Sequence, residues 1–170
     1  ENLLQWSRLQ TGRIDFNPAR FMLKNVVFKA VDVFQINAAR KNIQIIVSVD
    51  PLASVSADMN MAEAIFRNLL SNAIKFTPEN GKVKITSEES ADGKSVSVTV
   101  EDTGVGISKT DIEKLFIIGS KVMPHGMEEE KGSGLGLILC KEFVEKNGGT
   151  IYVESEEGKG TKFIFTLPKA

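Results

Sequence analysis

Apolar residues recur at three- and four-residue steps in three stretches of the chain, and this spacing predicts three main helices. They are expected at about residues 23–41, 58–76 and 134–147. Asp58 suits the N-cap position of the second helix, and Gly148-Gly149 closes the third. The first twelve residues have the pattern of the end of a further helix.

Alternating apolar and polar residues predict strands between the helices. A short helix is expected near residues 109–116, and Asn17-Pro18 is expected to form a turn. Because strands and helices alternate without a strict βαβ rhythm, the pattern predicts a mixed sheet covered on one face by helices. The strands are expected at residues 13–17, 44–50, 82–88, 95–102, 150–155 and 161–167.

Composition narrows the class of protein. The formal net charge is −1 over 170 residues and no basic stripe is visible, which argues against a nucleic-acid partner. No apolar run approaches the ~20 residues of a membrane span. One cysteine and one histidine cannot make a usual zinc site, and we expect Cys140 to be a small buried hydrophobic residue.

A glycine-rich segment, Gly132-Ser133-Gly134-Leu135-Gly136-Leu137, runs directly into the third predicted helix. Alternate glycines let the backbone approach a ligand, and a helix start offers unpaired N–H groups and a positive dipole end. The segment is typical of a phosphate site, although a tight connection would use the same residues. Residues 117–133 lose periodicity, so we expect a long mobile loop that folds over the ligand as a lid.

Asn68, Asn72 and Lys75 lie within about 60° of one another on the second predicted helix. Asparagine costs about half a kcal/mol relative to alanine inside a helix, and this helix has two. The stripe is either an ordinary solvated face or a site where amide oxygens ligate Mg²⁺ and the ammonium meets phosphate. The opposite side, which should face the sheet, carries Phe66, Leu69, Leu70 and Ala73.

Asp102 shares the strand parity of Val96, Val98 and Val100 and should therefore face the apolar interior. A buried carboxylate is costly unless it accepts hydrogen bonds. It either caps the turn formed by Gly104 and Gly106, or accepts a hydrogen bond from the exocyclic amine of a base such as adenine. The second role would confer specificity, because adenine and guanine present opposite polarities at that edge.

Together these motifs resemble those of sensor histidine kinases. Residues 68–78 (NLLSNAIKFTP) look like the N box, and residues 102–107 (DTGVGI) resemble the first glycine box. Residues 132–137 (GSGLGL) are similar to the second glycine box, and residues 160–168 (GTKFIFTLP) to the C-terminal strand. The resemblance covers residues 13–168 in the family's order and spacing.

The resemblance implies two parts. Residues 13–170 would be the catalytic and ATP-binding domain, and residues 1–12 the C-terminal stub of the helical dimerisation and phosphoacceptor domain. It implies the α/β Bergerat-type fold shared with gyrase, heat-shock-type chaperones and mismatch-repair ATPases. That fold is a two-layer sandwich in which a mixed sheet of about five strands is covered on one face by three helices, with a mobile ATP lid.

By the same resemblance, catalytic roles fall to Asn68, Asn72 and Lys75. Asn72 would ligate Mg²⁺, Asn68 would support the metal–phosphate network and Lys75 would contact phosphate. Asp102 would accept from the adenine amine, and Thr161 would help to hold a water beside the base. The ATP-binding residues implied are Asn68, Asn72, Lys75, Phe76, Asp102, Gly104, Gly106, Ile107, Gly132, Ser133, Gly134, Leu135, Gly136, Leu137 and Thr161, with Phe76, Ile107 and Leu137 walling the base.

The implied activity is transfer of the ATP γ-phosphoryl group to a histidine of the dimerisation domain, and then to an aspartate of a response-regulator receiver domain. The family's acceptor histidine, which is followed by an acidic residue, has no counterpart here, since the one histidine is His125. Residues 114–119 keep Phe116 but not the aromatic-plus-basic ending of the family's phenylalanine box, and Lys121 could substitute as the basic contact.

Two other functions stay open at this stage. One is an ATP-hydrolysing clamp of the same fold, although those proteins carry a general-base glutamate where this chain has Asn68. The other is a nucleotide-binding regulatory module without kinase activity. We expect a cytoplasmic, monomeric fragment with no direct membrane contact, cut from a homodimeric parent protein that could itself be membrane-anchored.

Overall fold

A five-stranded sheet with three main helices on one face, and a separate pair of short strands, make up the fold. The computed structural model describes Leu4, Ser7, residues 14–120, Val122 and residues 134–170. The strands are β1 (Pro18–Met22), β2 (Gln44–Ser48), β3 (Ser54–Asp58), β4 (Lys82–Glu89), β5 (Ser95–Asp102), β6 (Ile151–Glu156) and β7 (Gly160–Pro168). The helices are α1 (Leu23–Arg40), α2 (Met59–Phe76), α3 (Lys109–Ile112) and α4 (Gly136–Lys146).

The main sheet has the strand order β2-β4-β5-β7-β6. Strand β2 runs parallel to β4, and the remaining pairs are antiparallel, which confirms the predicted mixed sheet of five strands. The pair β1–β3 is antiparallel and forms a second, smaller sheet.

The core lies between the main sheet and helices α1, α2 and α4. Strand β5 shows why one face of the sheet is covered, because Val96, Val98 and Val100 are buried and the residues between them are only half-buried. Phe66 of α2 meets Phe165 of β7 edge to face, with ring centres 5.4 Å apart. Cys140 is fully buried, as expected for a small hydrophobic residue.

Asp58 anchors the start of α2. Its carboxylate accepts hydrogen bonds from the backbone N–H groups of Met61 (3.1 Å) and Asn17 (2.9 Å), which confirms the predicted N-cap. Its own backbone N–H donates to Oδ1 of Asn147, just after α4, at 2.7 Å. The start of α2 and the end of α4 are therefore joined through one buried polar cluster.

Lys41 holds the opposite end of α2. Its Nζ donates to the backbone carbonyl oxygens of Ile74 (2.8 Å) and Lys75 (3.0 Å). Carbonyls in the last turn of a helix lack partners within the helix, and a positive charge there is favourable. The last turn of α2 is thus fixed by a side chain that follows α1.

Replacing Lys41 with alanine should lower the free energy of unfolding by about 2 kcal/mol, since hydrogen bonds from a charged group are lost. Urea denaturation measures this. Lys29→Ala is the matched control, because its ion pair with Glu63 (2.6 Å) also joins α1 to α2 but is exposed. The control should lose at most about 1 kcal/mol. Equal losses of unfolding free energy in the two variants would contradict the role of Lys41 in holding the end of α2.

The structure corrects the prediction for the small sheet. A strand was expected at residues 13–17 and a turn at Asn17-Pro18, but residues 14–17 have no regular structure and β1 begins at Pro18. Strand β3 was not predicted. The two strands pair with each other across more than thirty residues of sequence, and most side chains of β3 are small, so local patterning carries little signal for either. Proline at the first position of a strand is tolerated.

Helix α3 ends at Ile112 instead of the expected Phe116. The following residues form turns in which backbone N–H groups bond three residues back, as Leu115 does to Ile112 and Ile117 to Lys114. The other predicted element ends differ by no more than two residues. Within the part of the chain that is described, no helix combines the length and apolar character needed to cross a membrane.

Several expectations fall outside the described residues. They concern the helical stub at residues 1–12 (apart from Leu4 and Ser7), most of the predicted lid, and the single residues Lys121, His125, Gly132 and Ser133.

Candidate functional site

The end of α2, the end of β5 and the start of β7 meet at the same end of the main sheet. The backbone N–H of Val105, just after β5, donates to the carbonyl oxygen of Phe76 at 3.2 Å. Asp102 and Thr161 are directly paired in the β5–β7 ladder. The structure therefore brings together Phe76, Asp102 and Thr161, which the sequence analysis took from three separate motifs.

Asp102 is buried, with 7% of its surface exposed, as its strand parity predicted. Its Oδ1 accepts from the backbone N–H of Gly104 at 2.8 Å, so the expected turn cap is present. Burial raises the pKa of Asp102 to about 6, while hydrogen bonds from the backbone N–H groups of Gly104 and Thr161 act in the opposite direction. A carboxylate has about four acceptor positions, so these bonds leave capacity for a donor on a ligand.

Gly104 and Gly106 allow the backbone to pack closely around this carboxylate. A Cβ at Gly104 would lie 2.6 Å from Asp102 Oδ1 and 2.6 Å from the carbonyl oxygen of Phe76. Gly106 has φ +72°, and a Cβ there would overlap the carbonyl of Glu156. Close packing of the protein's own backbone alone accounts for glycine at both positions.

The polar stripe of α2 faces away from the core. Asn68, Asn72 and Lys75 are half-buried, whereas the four apolar residues expected on the other side are buried. Asn68 Nδ2 donates to the carbonyl oxygen of Ala64 at 3.0 Å. Lys75 Nζ lies 5.2 Å from the ring centre of Phe76, a cation–π contact. The predicted division of this helix into an apolar and a polar face is confirmed.

The glycine-rich segment leads into α4, as expected. The helix begins at Gly136, and Gly134 before it has φ +70°, a left-handed conformation that favours glycine. Leu135, Gly136 and Leu137 are half-buried and Gly134 is exposed.

Helix α4 runs antiparallel to α2. Asn147 Nδ2, just after α4, lies 3.6 Å from the sulfur of Met61. Cys140 Sγ, earlier in α4, lies 3.8 Å from the carbonyl oxygen of Ile65, which is later in α2. The two helices therefore run in opposite directions. This direction brings the start of α4 towards the second half of α2, which carries the polar stripe.

Ser155 is a residue of the site that the sequence analysis missed. Its Oγ lies 2.8 Å from the backbone N of Ile107, 2.8 Å from the carbonyl oxygen of Gly160 and 2.8 Å from Thr161 Oγ1. The signal was available, because Ser155 has the parity of Ile151 and Val153 in a strand whose other residues are exposed. Asp102 on β5 is predicted to face inward from the same kind of parity.

The amide oxygens of the polar stripe suit a metal ion that is also bound by phosphate oxygens. Across the described ranges, no group of three or more His, Cys, Asp or Glu side chains is arranged to hold a metal ion. A metal at the stripe would therefore take an amide oxygen, such as that of Asn72, together with phosphate oxygens and water. Such all-oxygen, partly hydrated sites are typical of Mg²⁺.

Comparison with known proteins gives one consistent family. Residues 57–170 match the family described as histidine kinase-, DNA gyrase B- and HSP90-like ATPase. Sensor histidine kinase WalK of Bacillus subtilis is 32% identical over 168 residues, which are 98% of this chain and 27% of WalK. The chain thus spans about a quarter of that relative.

Comparison with solved structures indicates the same family. The nucleotide-free catalytic domain of histidine kinase ThkA is 32% identical with a TM-score of 0.78, and the match covers 92% of this chain and 99% of that domain. ThkA in complex with response regulator protein TrrA matches at 28% identity and TM-score 0.73, covering 99% of this chain and 49% of that one. Full-length ShkA in complex with AMPPNP matches at 29% identity and TM-score 0.84, covering 99% and 35%.

The match to ThkA spans nearly the whole of its catalytic domain, and the family match includes α2, β5 and the start of α4. The chain therefore belongs to the histidine kinase-, DNA gyrase B- and HSP90-like ATPase family, as the ATP-binding catalytic domain of a histidine kinase.

Proposed function

We propose that this domain binds Mg·ATP and transfers its γ-phosphoryl group to a histidine of a dimerisation domain. The observation that carries the proposal is the buried Asp102 carboxylate beside the end of α2, the helix that carries Asn68, Asn72 and Lys75. One end of the site suits a base with an amine donor, and the other suits a metal-bound triphosphate. The complex of ShkA with AMPPNP, an ATP analogue, supports this proposal.

At the base end, Asp102 accepts a hydrogen bond from the adenine amine. The half-buried side chains of Phe76, Ile107 and Leu137 provide the apolar walls. The Thr161 hydroxyl, which is next to Asp102 in the β5–β7 ladder, helps to hold a water beside the base. Adenine is preferred because a carboxylate can only accept hydrogen bonds when it is ionised.

At the phosphate end, Asn72 would ligate Mg²⁺ and Asn68 would support the metal–phosphate network. When bound, Mg²⁺ supplies positive charge that offsets the charge of the triphosphate. Lys75 contacts phosphate oxygens, and the second glycine box offers backbone N–H groups at the start of α4. We also propose Gly132 and Ser133 of this box as phosphate-binding residues. These residues position the γ-phosphoryl group for in-line attack, and positioning with charge stabilisation is the main contribution of enzymes to phosphoryl transfer.

The proposed partners are a dimerisation domain and a response-regulator receiver domain. The solved complex of ThkA with response regulator protein TrrA supports the second. We assign residues 13–170 to the catalytic domain and residues 1–12 to the end of the dimerisation domain. The parent protein would be a homodimer, with this domain in the cytoplasm.

The test is to mix this chain with the separately produced dimerisation domain of its parent protein and γ-labelled ATP. We expect label on the dimerisation domain in an acid-labile, base-stable form, as phosphohistidine. A dimerisation domain whose acceptor histidine is replaced by glutamine should stay unlabelled. Release of inorganic phosphate without labelling would identify an ATP-hydrolysing clamp instead. If neither labelled protein nor inorganic phosphate formed, the domain would be a regulatory module.

A further inference from the structure

Ser155, Thr161 and Asp102 form a row across three adjacent strands. Ser155 pairs with Thr161 in the β6–β7 ladder, and Thr161 pairs with Asp102 in the β5–β7 ladder. Directly opposed residues of antiparallel strands point to the same face, with Cβ atoms about 5 Å apart. The two hydroxyl groups and the carboxylate are therefore neighbours on the inner face of the sheet.

The direction of the hydroxyl protons follows from the partners of Ser155. A serine hydroxyl has one proton to donate and two lone pairs to accept. The carbonyl oxygen of Gly160, 2.8 Å away, can only accept, so the Ser155 proton must point to it. The lone pairs of Ser155 then accept from the Ile107 N–H and from the Thr161 hydroxyl, each at 2.8 Å.

Thr161 consequently has no proton left for a ligand. Its hydroxyl donates to Ser155, so towards the base, or towards the water beside the base, Thr161 Oγ1 offers only lone pairs. Asp102 next to it also accepts only, once it is ionised. On the inner face of the sheet, Asp102 and Thr161 therefore present two adjacent hydrogen-bond acceptors to the base. The Thr161 proton points away from the base, because it is donated to Ser155.

Ser155 also holds the loop that follows β5. Its bond to the Ile107 N–H fixes the end of this loop against β6. The loop is further held by the bond from the Gly158 N–H to the carbonyl oxygen of Val105, at 2.7 Å. Ile107, expected to wall the base, is thus placed by the same hydroxyl that sets the polarity of Thr161.

We propose that Ser155 is a positioning residue for base specificity, which directs the Thr161 hydroxyl as an acceptor and places Ile107, so that a 6-aminopurine is preferred to a 6-oxopurine. The inference rests on the proposed ATP site. It concerns only the base end of that site, because none of the contacts of Ser155 reaches the polar stripe of α2.

Titration calorimetry of this chain with ATP, GTP and ADP in the presence of Mg²⁺ tests the proposal. In Ser155→Ala the preference for ATP over GTP should narrow by about three- to tenfold, the value of one hydrogen bond. The ratio of ATP to ADP affinity should not change, since it reports the phosphate end. Ser155→Thr keeps the hydroxyl and should restore the preference.

Thr166→Val is the matched control. Thr166 Oγ1 accepts from the Thr150 N–H at 2.9 Å and so links the segment before β6 to β7 far from Asp102. This variant should keep the wild-type preference. If it narrowed the preference as much as Ser155→Ala, the effect would be a general loosening of these strands and the proposal would be wrong.

The remaining outcomes are also decisive. If wild type binds no adenine nucleotide, the proposed function fails. If wild type prefers ATP and Ser155→Ala keeps that preference, the proposed function stands and the inference about Ser155 is overturned. Should Ser155→Ala not fold, by circular dichroism, Thr161→Val removes the other hydroxyl of the pair. It should narrow the preference for ATP over GTP at least as much, because it also removes the contact of Thr161 with the base or its water, and an unchanged preference would overturn the inference.

Discussion

Asn72→Ala should abolish the magnesium-dependent part of ATP binding and reduce phosphoryl transfer by at least about a hundredfold, as loss of a preorganised stabilising group does. A ligand at a hundred times its dissociation constant raises stability by about 2.7 kcal/mol. Thermal melting with ATP, with and without Mg²⁺, therefore measures the binding part. The wild type should gain stability from the added Mg²⁺, and the variant should not.

Two further variants test whether the Asn72 effect is specific. Asn72→Asp keeps an oxygen ligand and should retain the response to Mg²⁺. Ser71→Ala changes the neighbouring residue, which is exposed, and should behave like the wild type. A Mg²⁺ response in Asn72→Ala equal to that of the wild type would contradict the assignment of the metal ligand.

In Asp102→Asn, the preference for ATP over GTP should be about ten- to a hundredfold smaller than in the wild type. A hydrogen bond to a charged group has this value, and the asparagine amide can also donate to the carbonyl of guanine. Competition of ATP and GTP for a fluorescent nucleotide measures the preference. A variant with the wild-type preference would exclude Asp102 as the base-recognition residue.

The same variant should change how stability depends on pH. The pKa of Asp102 is raised by burial from 3.8 to about 6, so the folded state binds its proton more tightly than the unfolded state. The stability contributed by the neutral group is complete below pH 3.8 and is lost as the pH rises through about 6. Relative to Asp102→Asn, wild type should therefore lose up to about 3 kcal/mol between pH 4 and pH 8, at about 1.4 kcal/mol per pKa unit. Urea unfolding at the two pH values provides the measurement.

Most of the fold was predictable because its signals are local. The periodicity of α2 and the parity of β5 are properties of short windows, and they placed Asn72 and Asp102 on the correct faces. The order of the motifs indicated the family. The main sheet followed from the same patterns, since its strands are long enough to alternate visibly.

The features that were missed depend on partners far away in sequence. Strands β1 and β3 exist because they pair with each other, and neither has a strong pattern of its own. Lys41 bonds to backbone carbonyls 33 and 34 residues away, which side-chain patterns cannot reveal. The role of Ser155 depends on Ile107, 48 residues earlier, and on the turn that follows β6. Only the three-dimensional structure supplies these partners.

The polar cluster around Asp58 has a consequence for how the two long helices of the site can move. It ties the start of α2 to Asn147 at the end of α4, and both positions are remote from the end of these helices at which we propose that the nucleotide binds. Sliding one helix along the other would break a buried hydrogen bond, whereas a small change of the angle between them would not. A widening of the space between α2 and α4 that keeps this bond must be a rotation with its pivot near Asp58, and its amplitude grows with distance from that residue.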